Sequence, residues 1–196
     1  HGCVHRVIPD RIVTATYLCA AAAAGGDITL RNTRHHHLSA VTTALQQAGC
    51  TVDCGEDYIR FQRGAPLQAV APVRTAPYPG FPTDCQAILM AALLRSRGTT
   101  VFVENIFQSR YRHVPELIRM GADIRTEGRV AVVCGTERLH GADTVATDLR
   151  GGAALAVAGL AAEGVTTVQG VEHIHRGYED LPAHLRALGA HITEQN

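Results

Sequence analysis

The sequence predicts an α/β domain in which one unit of helices and strands occurs three times. Two observations predict it. A glycine followed by a β-branched run, which is typical of a strand, occurs at residues 25–30, 98–103 and 164–169. Downstream of each strand a helical pattern closes on a glycine and a further strand begins; the closing glycines are Gly49, Gly121 and Gly189. These markers recur at nearly equal separations, as an internal repeat requires.

The first helix of each unit is predicted from an aspartate that introduces an apolar stretch. Asp10, Asp84 and Asp148 each precede such a stretch, and each stretch ends at the glycine that opens a strand. The length suits a helix of three to four turns, and Asp is a preferred residue at a helix N-terminus because its carboxylate accepts hydrogen bonds from free N–H groups. Each unit therefore reads as helix, strand, helix, strand, strand.

The closing strand pair is clear in two units and incomplete in the third. It is predicted at residues 50–53 and 58–62, and again at 122–126 and 130–134, whereas the third unit stops at Asn196 after one strand. An unpaired sheet edge is normally covered, so the missing strand is expected elsewhere in a longer parent. We expect one domain over residues 1–196, with repeats at about 10–64, 84–135 and 148–196.

Composition excludes several classes of protein. The 196 residues include 18 Lys+Arg and 18 Asp+Glu, so no net positive charge attracts nucleic acid or a membrane surface at long range. The six cysteines lack CxxC spacing, which favours reduced thiols in the cytoplasm. The apolar stretch at residues 17–24 is too short to span a bilayer. A start at His1 without Met suggests a fragment of a longer chain.

Three-fold symmetry would bring the helix N-termini of the units to one end of the domain. Helix N-termini carry partial positive charge and free N–H groups, so such a rim favours anions. Asp84, Asp148 and Arg150 are predicted at this rim, and Arg110 and Arg176 precede the second helices of units two and three. Guanidinium groups bind carboxylate and phosphate in bidentate fashion. Two carboxylates beside three arginines indicate proton transfer on an anionic substrate.

Each of these residues also has a purely structural interpretation. Asp10 is interpreted as a helix cap only. Asp84 follows the proline-rich segment 75–83, which would hold it rigidly. The three arginines could instead be solvated or could pair with one of three acidic residues: Glu104, Glu163 or Glu179.

Other candidate sites are weaker. The run His35–His37 is expected to be a solvated loop, because adjacent side chains do not face one metal. Cys50 and Cys54 lack the second pair that a zinc site needs, and Cys85 is expected in a helix core rather than as a nucleophile. Neither a phosphate-binding loop ending in Gly-Lys-Ser/Thr nor a GxSxG-like serine occurs.

Five segments together resemble UDP-N-acetylglucosamine enolpyruvyltransferases, nearly end to end and in order. They are residues 7–12, 75–87, 110–123, 146–155 and 175–181. The related 5-enolpyruvylshikimate-3-phosphate synthases share the fold but match these segments less well. The resemblance implies an enzyme of two domains, each an inside-out α/β barrel of three βαβαββ units, with substrates bound between them. This chain is similar to the second half, with its third repeat incomplete.

The resemblance also implies roles for individual residues. Asp84 would contact the sugar hydroxyl and deprotonate it, and Ile106 would line the nucleotide-sugar site. Arg110, Arg150 and Arg176 would hold the carboxylate and phosphate of phosphoenolpyruvate. Asp148 would assist proton transfer at the methylene carbon. The expected partners are UDP-N-acetylglucosamine, phosphoenolpyruvate and the N-terminal domain of the same enzyme, with no cofactor, metal, nucleic acid or membrane.

The chain departs from the family pattern at a few positions. Gln108 and Ser109 stand where the family usually has Glu-Asn, and Cys85 stands where it usually has Met. The family's mobile-loop cysteine belongs to the other half. A second hypothesis therefore stays open, in which the chain is a stand-alone module that binds an anion or a nucleotide sugar without turnover.

Overall fold

The computed structural model describes residues 1–195, which form an α/β fold. The helices are α1 Arg11–Ala24, α2 Ser39–Gln47, α3 Thr83–Ala92, α4 Val114–Arg119, α5 Leu149–Gly159, α6 Glu172–His175 and α7 Leu181–Ala187. The strands are β1 Asp27–Arg31, β2 Thr51–Cys54, β3 Tyr58–Gln62, β4 Val73–Arg74, β5 Thr99–Val103, β6 Asp123–Glu127, β7 Val130–Cys134, β8 Asp143–Val145 and β9 Thr167–Gln169. Within residues 1–195, no helix is both long and apolar enough to cross a membrane.

Helices α1, α3 and α5 pack against one another and form the centre of the fold. Leu18, Ile88 and Leu155, one from each helix, are fully buried. Alanine and glycine occupy many of the remaining positions, so the helix backbones can approach closely. These helices are apolar nearly all round, which is typical of helices enclosed on every side. Helices inside and sheets outside match the predicted α/β fold.

In residues 1–195, three separate sheets surround the helices. Their strand orders are β1-β3-β2, β4-β5-β7-β6 and β8-β9. In the second sheet β4 runs parallel to β5, and β5 runs antiparallel to β7. In the third sheet β8 likewise runs parallel to β9. The second unit therefore shows the full order of strand, helix, strand, helix, strand, strand.

The predicted helix-closing glycines share one backbone conformation. Gly49, Gly121 and Gly189 have φ values of 95°, 91° and 97°. A positive φ is easily adopted only by glycine, which explains why this residue follows α2, α4 and α7. The repeated conformation is the physical basis of the sequence repeat.

Three expectations about secondary structure differ from the structure. Residues 190–195 form no strand, because no neighbouring strand is available there to share backbone hydrogen bonds. Asn196, with which the third unit was expected to end, lies outside the described residues. The short strands β4 and β8 were not predicted, since each has only two or three residues. His35–His37 form one 3₁₀ turn rather than a loop.

Candidate functional site

An open cavity of about 280 Å³ lies at the N-terminal ends of α3 and α5. The segment before α4 and the segment after α6 complete its wall. The cavity is lined by Asp84, Arg110, Asp148, Leu149, Arg150 and Arg176. The structure thus brings together, around one cavity, the five charged side chains that the sequence predicted, from four separate segments of the chain.

Asp84 is the centre of this cluster. It is the second residue of α3, and the N-cap position is occupied by Pro82, so its side chain is not used as a cap. One carboxylate oxygen, Oδ1, accepts a hydrogen bond from Arg110 Nη2 at 2.6 Å, and Oδ2 accepts one from Arg150 Nη2 at 3.3 Å. The Asp84 side chain remains 40% exposed. Arg110 and Arg150 therefore pair with Asp84 and not with a glutamate.

The start of α3 is held in place by Glu104, which is 1% exposed. Its Oε2 accepts a hydrogen bond from the hydroxyl of Thr83, at 2.9 Å, next to Asp84. Its Oε1 accepts bonds from the Thr75 hydroxyl and from the N–H of Ile106 and of the residue after it. A buried carboxylate bound by four donors in this way links the Asp84 backbone to the loop that leads to Arg110.

Asp148 caps α5. Its Oδ1 accepts hydrogen bonds from the N–H groups of Arg150 at 3.0 Å and Gly151 at 2.8 Å. A Cβ on Gly151 would lie 3.1 Å from the Cβ of His113. His113 is buried, and burial lowers its pKa to about 4, with the negative charge of Asp148 acting in the opposite direction. A neutral imidazole therefore lies behind the capped end of α5.

Arg150 is held from a second side by a buried tyrosine. Its Nη1 donates to the Tyr178 hydroxyl at 3.4 Å, and the guanidinium carbon lies 5.7 Å from the centre of the phenol ring. Tyr178 is 3% exposed, and its hydroxyl lies 2.7 Å from the Thr16 hydroxyl on α1. Burial raises the pKa of Tyr178, so the phenol stays protonated.

The remaining predicted residues occupy three different situations. Arg176 follows α6 and lines the cavity, and in residues 1–195 it has no ion-pair partner. Ile106 is 39% exposed on the loop after β5 and is not among the residues that line the cavity. Asp10 accepts hydrogen bonds from the N–H groups of Ile12 and Val13, as a helix cap does. The cavity is therefore lined by units two and three only.

The chemistry available at this cavity is anion binding and proton transfer. Within the described part of the chain, no group of three or more His, Cys, Asp or Glu side chains is placed to hold a metal ion. Cys85, next to Asp84, is fully buried, and burial raises its pKa to about 12. It is therefore a protonated core thiol rather than a nucleophile.

Sequence reasoning missed Glu104, His113, Tyr178 and Thr16 as supports of this cavity. Their contacts join segments far apart in the chain, and no local pattern marks such a contact. The available signals were the presence of His113 and Tyr178 in the matching segments 110–123 and 175–181, and the consideration of Glu104 as a partner of the arginines.

The chain is similar in sequence and in fold to known proteins of one family. The family model "EPSP synthase (3-phosphoshikimate 1-carboxyvinyltransferase)" matches residues 1–185. The chain is 51% identical over 192 residues to UDP-N-acetylglucosamine 1-carboxyvinyltransferase of Zymomonas mobilis, and 47% identical over 193 residues to UDP-N-acetylglucosamine 1-carboxyvinyltransferase 2 of Caldanaerobacter subterraneus. Each match covers 98% of this chain but only 45% and 46% of the relative. The chain thus spans about half the length of the curated relatives it matches.

Solved structures show the same fold. The enolpyruvyl transferase NikO from Streptomyces tendae matches with a TM-score of 0.85 and 30% identity, over 94% of this chain and 44% of that one. An EPSP synthase from Acinetobacter baumannii matches with a TM-score of 0.71 and 20% identity, over 97% of this chain and 45% of that one. The resemblance found in the sequence is confirmed: the chain belongs to the EPSP synthase (3-phosphoshikimate 1-carboxyvinyltransferase) family.

Proposed function

We propose that this chain is the second half of an enzyme that transfers the enolpyruvyl group of phosphoenolpyruvate to the 3-hydroxyl of UDP-N-acetylglucosamine. That reaction is the first committed step of peptidoglycan synthesis, and it places the enzyme in the cytoplasm. The observation that carries the proposal is one carboxylate, Asp84, held between two guanidinium groups at a cavity where a third guanidinium has no ion pair.

The charge of the cavity suits phosphoenolpyruvate. Three guanidinium groups face two carboxylates there, so the cluster has a net positive charge. Phosphoenolpyruvate carries a carboxylate and a phosphate, and both groups accept paired N–H donors in the geometry that arginine offers. Arg176, which the described residues leave without an ion pair, would take one anionic group. Arg110 and Arg150 would turn toward the other group while keeping one N–H on Asp84.

The proposed reaction has two steps. In the first, the sugar oxygen bonds to C2 of phosphoenolpyruvate as its hydroxyl proton passes to Asp84, and the electron pair of the C2–C3 double bond takes up at C3 a proton that Asp148 relays from water. In the second, a proton leaves C3 for Asp148, the C–H electron pair forms the C2–C3 double bond again, and the bond from C2 to the phosphate oxygen breaks with its electron pair on the phosphate. The products are an enolpyruvyl ether and inorganic phosphate, so atoms and electrons balance without a redox partner.

The contacts of the two aspartates support a distinct part for each in these steps. Each Asp84 oxygen accepts one arginine N–H and retains a lone pair for the sugar hydroxyl. Asp148 uses Oδ1 as a helix cap, which leaves Oδ2 available near the methylene carbon. Positioned acids and bases of this kind contribute roughly 10²–10⁴-fold each. The rest of the rate is expected from orientation of both substrates between two domains.

The test is a chimera in which this chain replaces the matching part of the Zymomonas mobilis relative, assayed for phosphate release from both substrates. We expect turnover by the chimera and none by the isolated chain. Asp84→Asn should lower kcat by at least about 100-fold, because it removes the base. Binding of phosphoenolpyruvate should be unchanged or tighter, because one negative charge leaves an anion site.

Asp10→Asn is the matched control. Asp10 introduces the first helix of unit one in the sequence repeat but serves as its N-cap, and asparagine caps a helix as well as aspartate does, so turnover should not change. Turnover that survives Asp84→Asn would refute the assignment of the base. A folded chimera that binds both substrates but releases no phosphate, beside an active relative, would support a binding module instead.

A further inference from the structure

We propose that Tyr178 and Thr16 are positioning residues that orient the guanidinium of Arg150 toward the anionic substrate. The kinetic part of this inference rests on the proposed function, whereas its structural part does not. Neither side chain lines the cavity, so both would act through Arg150. The argument depends on the direction in which each hydrogen bond must run.

The carbonyl oxygen of Ile12 determines which group donates in each hydrogen bond from Thr16 through Tyr178 to Arg150. The Thr16 hydroxyl lies 2.9 Å from the carbonyl oxygen of Ile12, which can only accept, so Thr16 donates there. Its one proton is then used, and the 2.7 Å contact with Tyr178 must run from the phenol to Thr16. The Tyr178 oxygen is left with lone pairs only. They point to a donor, which is Arg150 Nη1 at 3.4 Å.

Arg150 depends on this acceptor because little else fixes its plane. Its Nε is buried and has no hydrogen-bond partner in residues 1–195. The two outer nitrogens are held by different groups, Nη1 by Tyr178 and Nη2 by Asp84. In the proposed turnover Asp84 takes up the proton of the substrate hydroxyl, and the resulting neutral carboxyl group holds Arg150 Nη2 less strongly than a carboxylate does. Tyr178 is then the protein group that keeps the guanidinium in one orientation.

This chain of bonds also connects the first repeat to the cavity. Thr16 lies in the middle of α1, Tyr178 follows α6, and Arg150 is in α5. Unit one contributes no side chain to the cavity lining, and the Thr16 hydroxyl reaches the cavity only through Tyr178. The buried hydroxyls of Thr16 and Tyr178 bond to each other, so neither is left without a hydrogen-bond partner in the apolar core.

The first experiment uses Tyr178→Phe in the chimera described above. This variant keeps the ring beside Arg150 and removes only the acceptor. We expect kcat/KM for phosphoenolpyruvate to fall about tenfold, as the loss of one hydrogen bond to a charged group implies, with KM for UDP-N-acetylglucosamine unchanged. Tyr58→Phe is the matched control. Tyr58 begins β3 in unit one, and within residues 1–195 its hydroxyl makes no hydrogen bond, so its loss should leave both constants unchanged.

Thr16 supplies an independent variant with a conservative rescue. Thr16→Val keeps the shape but removes the acceptor for the Tyr178 proton, which leaves the phenol free to turn away from its present orientation. We expect the same selective loss for phosphoenolpyruvate, and recovery to within about twofold of the parent in Thr16→Ser. Equal losses for both substrates, or no rescue by serine, would overturn the proposal in favour of a purely structural role.

A spectroscopic test of the hydrogen bonds to Arg150 can be made without any assay of turnover, so it separates the inference from the proposed function. The ¹⁵N resonances of a guanidinium held by two partners should be resolved in NMR spectra, whereas a freely rotating group gives averaged signals. We expect resolved Arg150 Nη signals in the parent and averaged signals in Tyr178→Phe. Resolved signals in both would refute the inference even if the enzyme turns over. A chimera without turnover would refute the proposed function and leave the NMR result to decide the inference.

Discussion

The two ends of the central three-helix bundle both carry arginines, but they use them differently. At the C-terminal end, Arg63 donates two bonds of 2.7 Å to the carbonyl oxygens of Ala22 and Ala23 in the last turn of α1. Arg95 similarly donates to the carbonyl oxygen of Ala161, just after α5, at 3.3 Å. At the N-terminal end, the arginines meet a carboxylate and an open cavity.

Helix electrostatics make these two arrangements unequal in energy. The C-terminal end of a helix carries partial negative charge, so a guanidinium there stabilises the fold. The N-terminal end is already partially positive, and three arginines gathered there repel both the helix ends and one another. Asp84 and Asp148 offset two of the three positive charges, and an anion bound in the cavity would offset the third. An arginine near a helix end therefore indicates a binding site when it lies at the N-terminal end.

The largest effect that we expect at the N-terminal end of the helix bundle is on the free energy of unfolding, which should depend on pH through His113. Burial lowers the pKa of His113 from 6.5 to about 4, so the unfolded chain binds a proton that the folded chain excludes. The neutral His113 therefore costs no stability above pH 6.5. As the pH falls from 6.5 toward 4, proton binding by the unfolded chain lowers the free energy of unfolding by up to roughly 3 kcal/mol. Urea unfolding at pH 7.5 and 4.5 should show a smaller loss of stability in His113→Leu than in the parent.

The chain contains ten other histidines, and the difference between parent and variant removes any contribution they make to the pH dependence of stability. If the free energy of unfolding fell by the same amount between pH 7.5 and pH 4.5 in parent and variant, His113 would be protonated without cost in the folded chain. The N-terminal end would then tolerate additional positive charge, and the electrostatic comparison between the two ends would fail.

The next effect separates a structural arginine from a binding arginine. Arg63→Ala should lower the free energy of unfolding by about 2 kcal/mol, because two carbonyls of α1 lose their donor. Arg176→Ala, at the other end, should leave stability unchanged and weaken phosphoenolpyruvate binding by the assembled enzyme. Denaturant titration and calorimetric binding measure the two quantities. A stability loss from Arg176→Ala comparable with that from Arg63→Ala would abolish the distinction.

The fold was largely predictable because its signals are local. Glycines such as Gly49 and Gly121 mark helix ends through backbone conformations that other residues rarely adopt, and Asp10 caps its helix by bonding to N–H groups two and three residues on. The strand expected after Gly189 failed for the opposite reason. A strand needs a neighbouring strand for its backbone hydrogen bonds, and residues 190–195 pair with neither β8 nor β9 in the sheet of the third unit.

The cavity was predictable only in part. Repetition and family resemblance together indicated which aspartates and arginines share one end of the domain. They could not indicate that Asp84 leaves the cap position to Pro82 and binds arginines instead, because that choice depends on contacts across the fold. Buried supports such as Glu104 and Tyr178 likewise depend on tertiary contacts that no spacing reveals.

A smaller effect compares two glycines in α5, one near each end. A Cβ on Gly152 would lie 2.8 Å from both Ala146 Cβ and Ile174 Cγ1, whereas one on Gly159 would lie no closer than 3.2 Å to Thr166. Gly152→Ala should therefore cost roughly 1–2 kcal/mol through overpacking, despite its better helix propensity. Gly159→Ala should change stability little. Thermal denaturation of both variants decides the matter, and equal effects would show that the two ends of α5 are packed alike.

The smallest effect concerns the aspartate of unit one. Asp10→Ala removes the two hydrogen bonds that cap α1 and should lower the free energy of unfolding by about 1 kcal/mol. Asp10→Asn should restore most of this stability, because the amide oxygen can accept the same bonds. Turnover of the assembled enzyme should be the same in both variants, measured below the unfolding range. If Asp10→Ala slowed turnover while the fold persisted, the N-terminal end of α1 would belong to the cavity after all. Position in the repeat, rather than the partner of each carboxylate, would then determine its role.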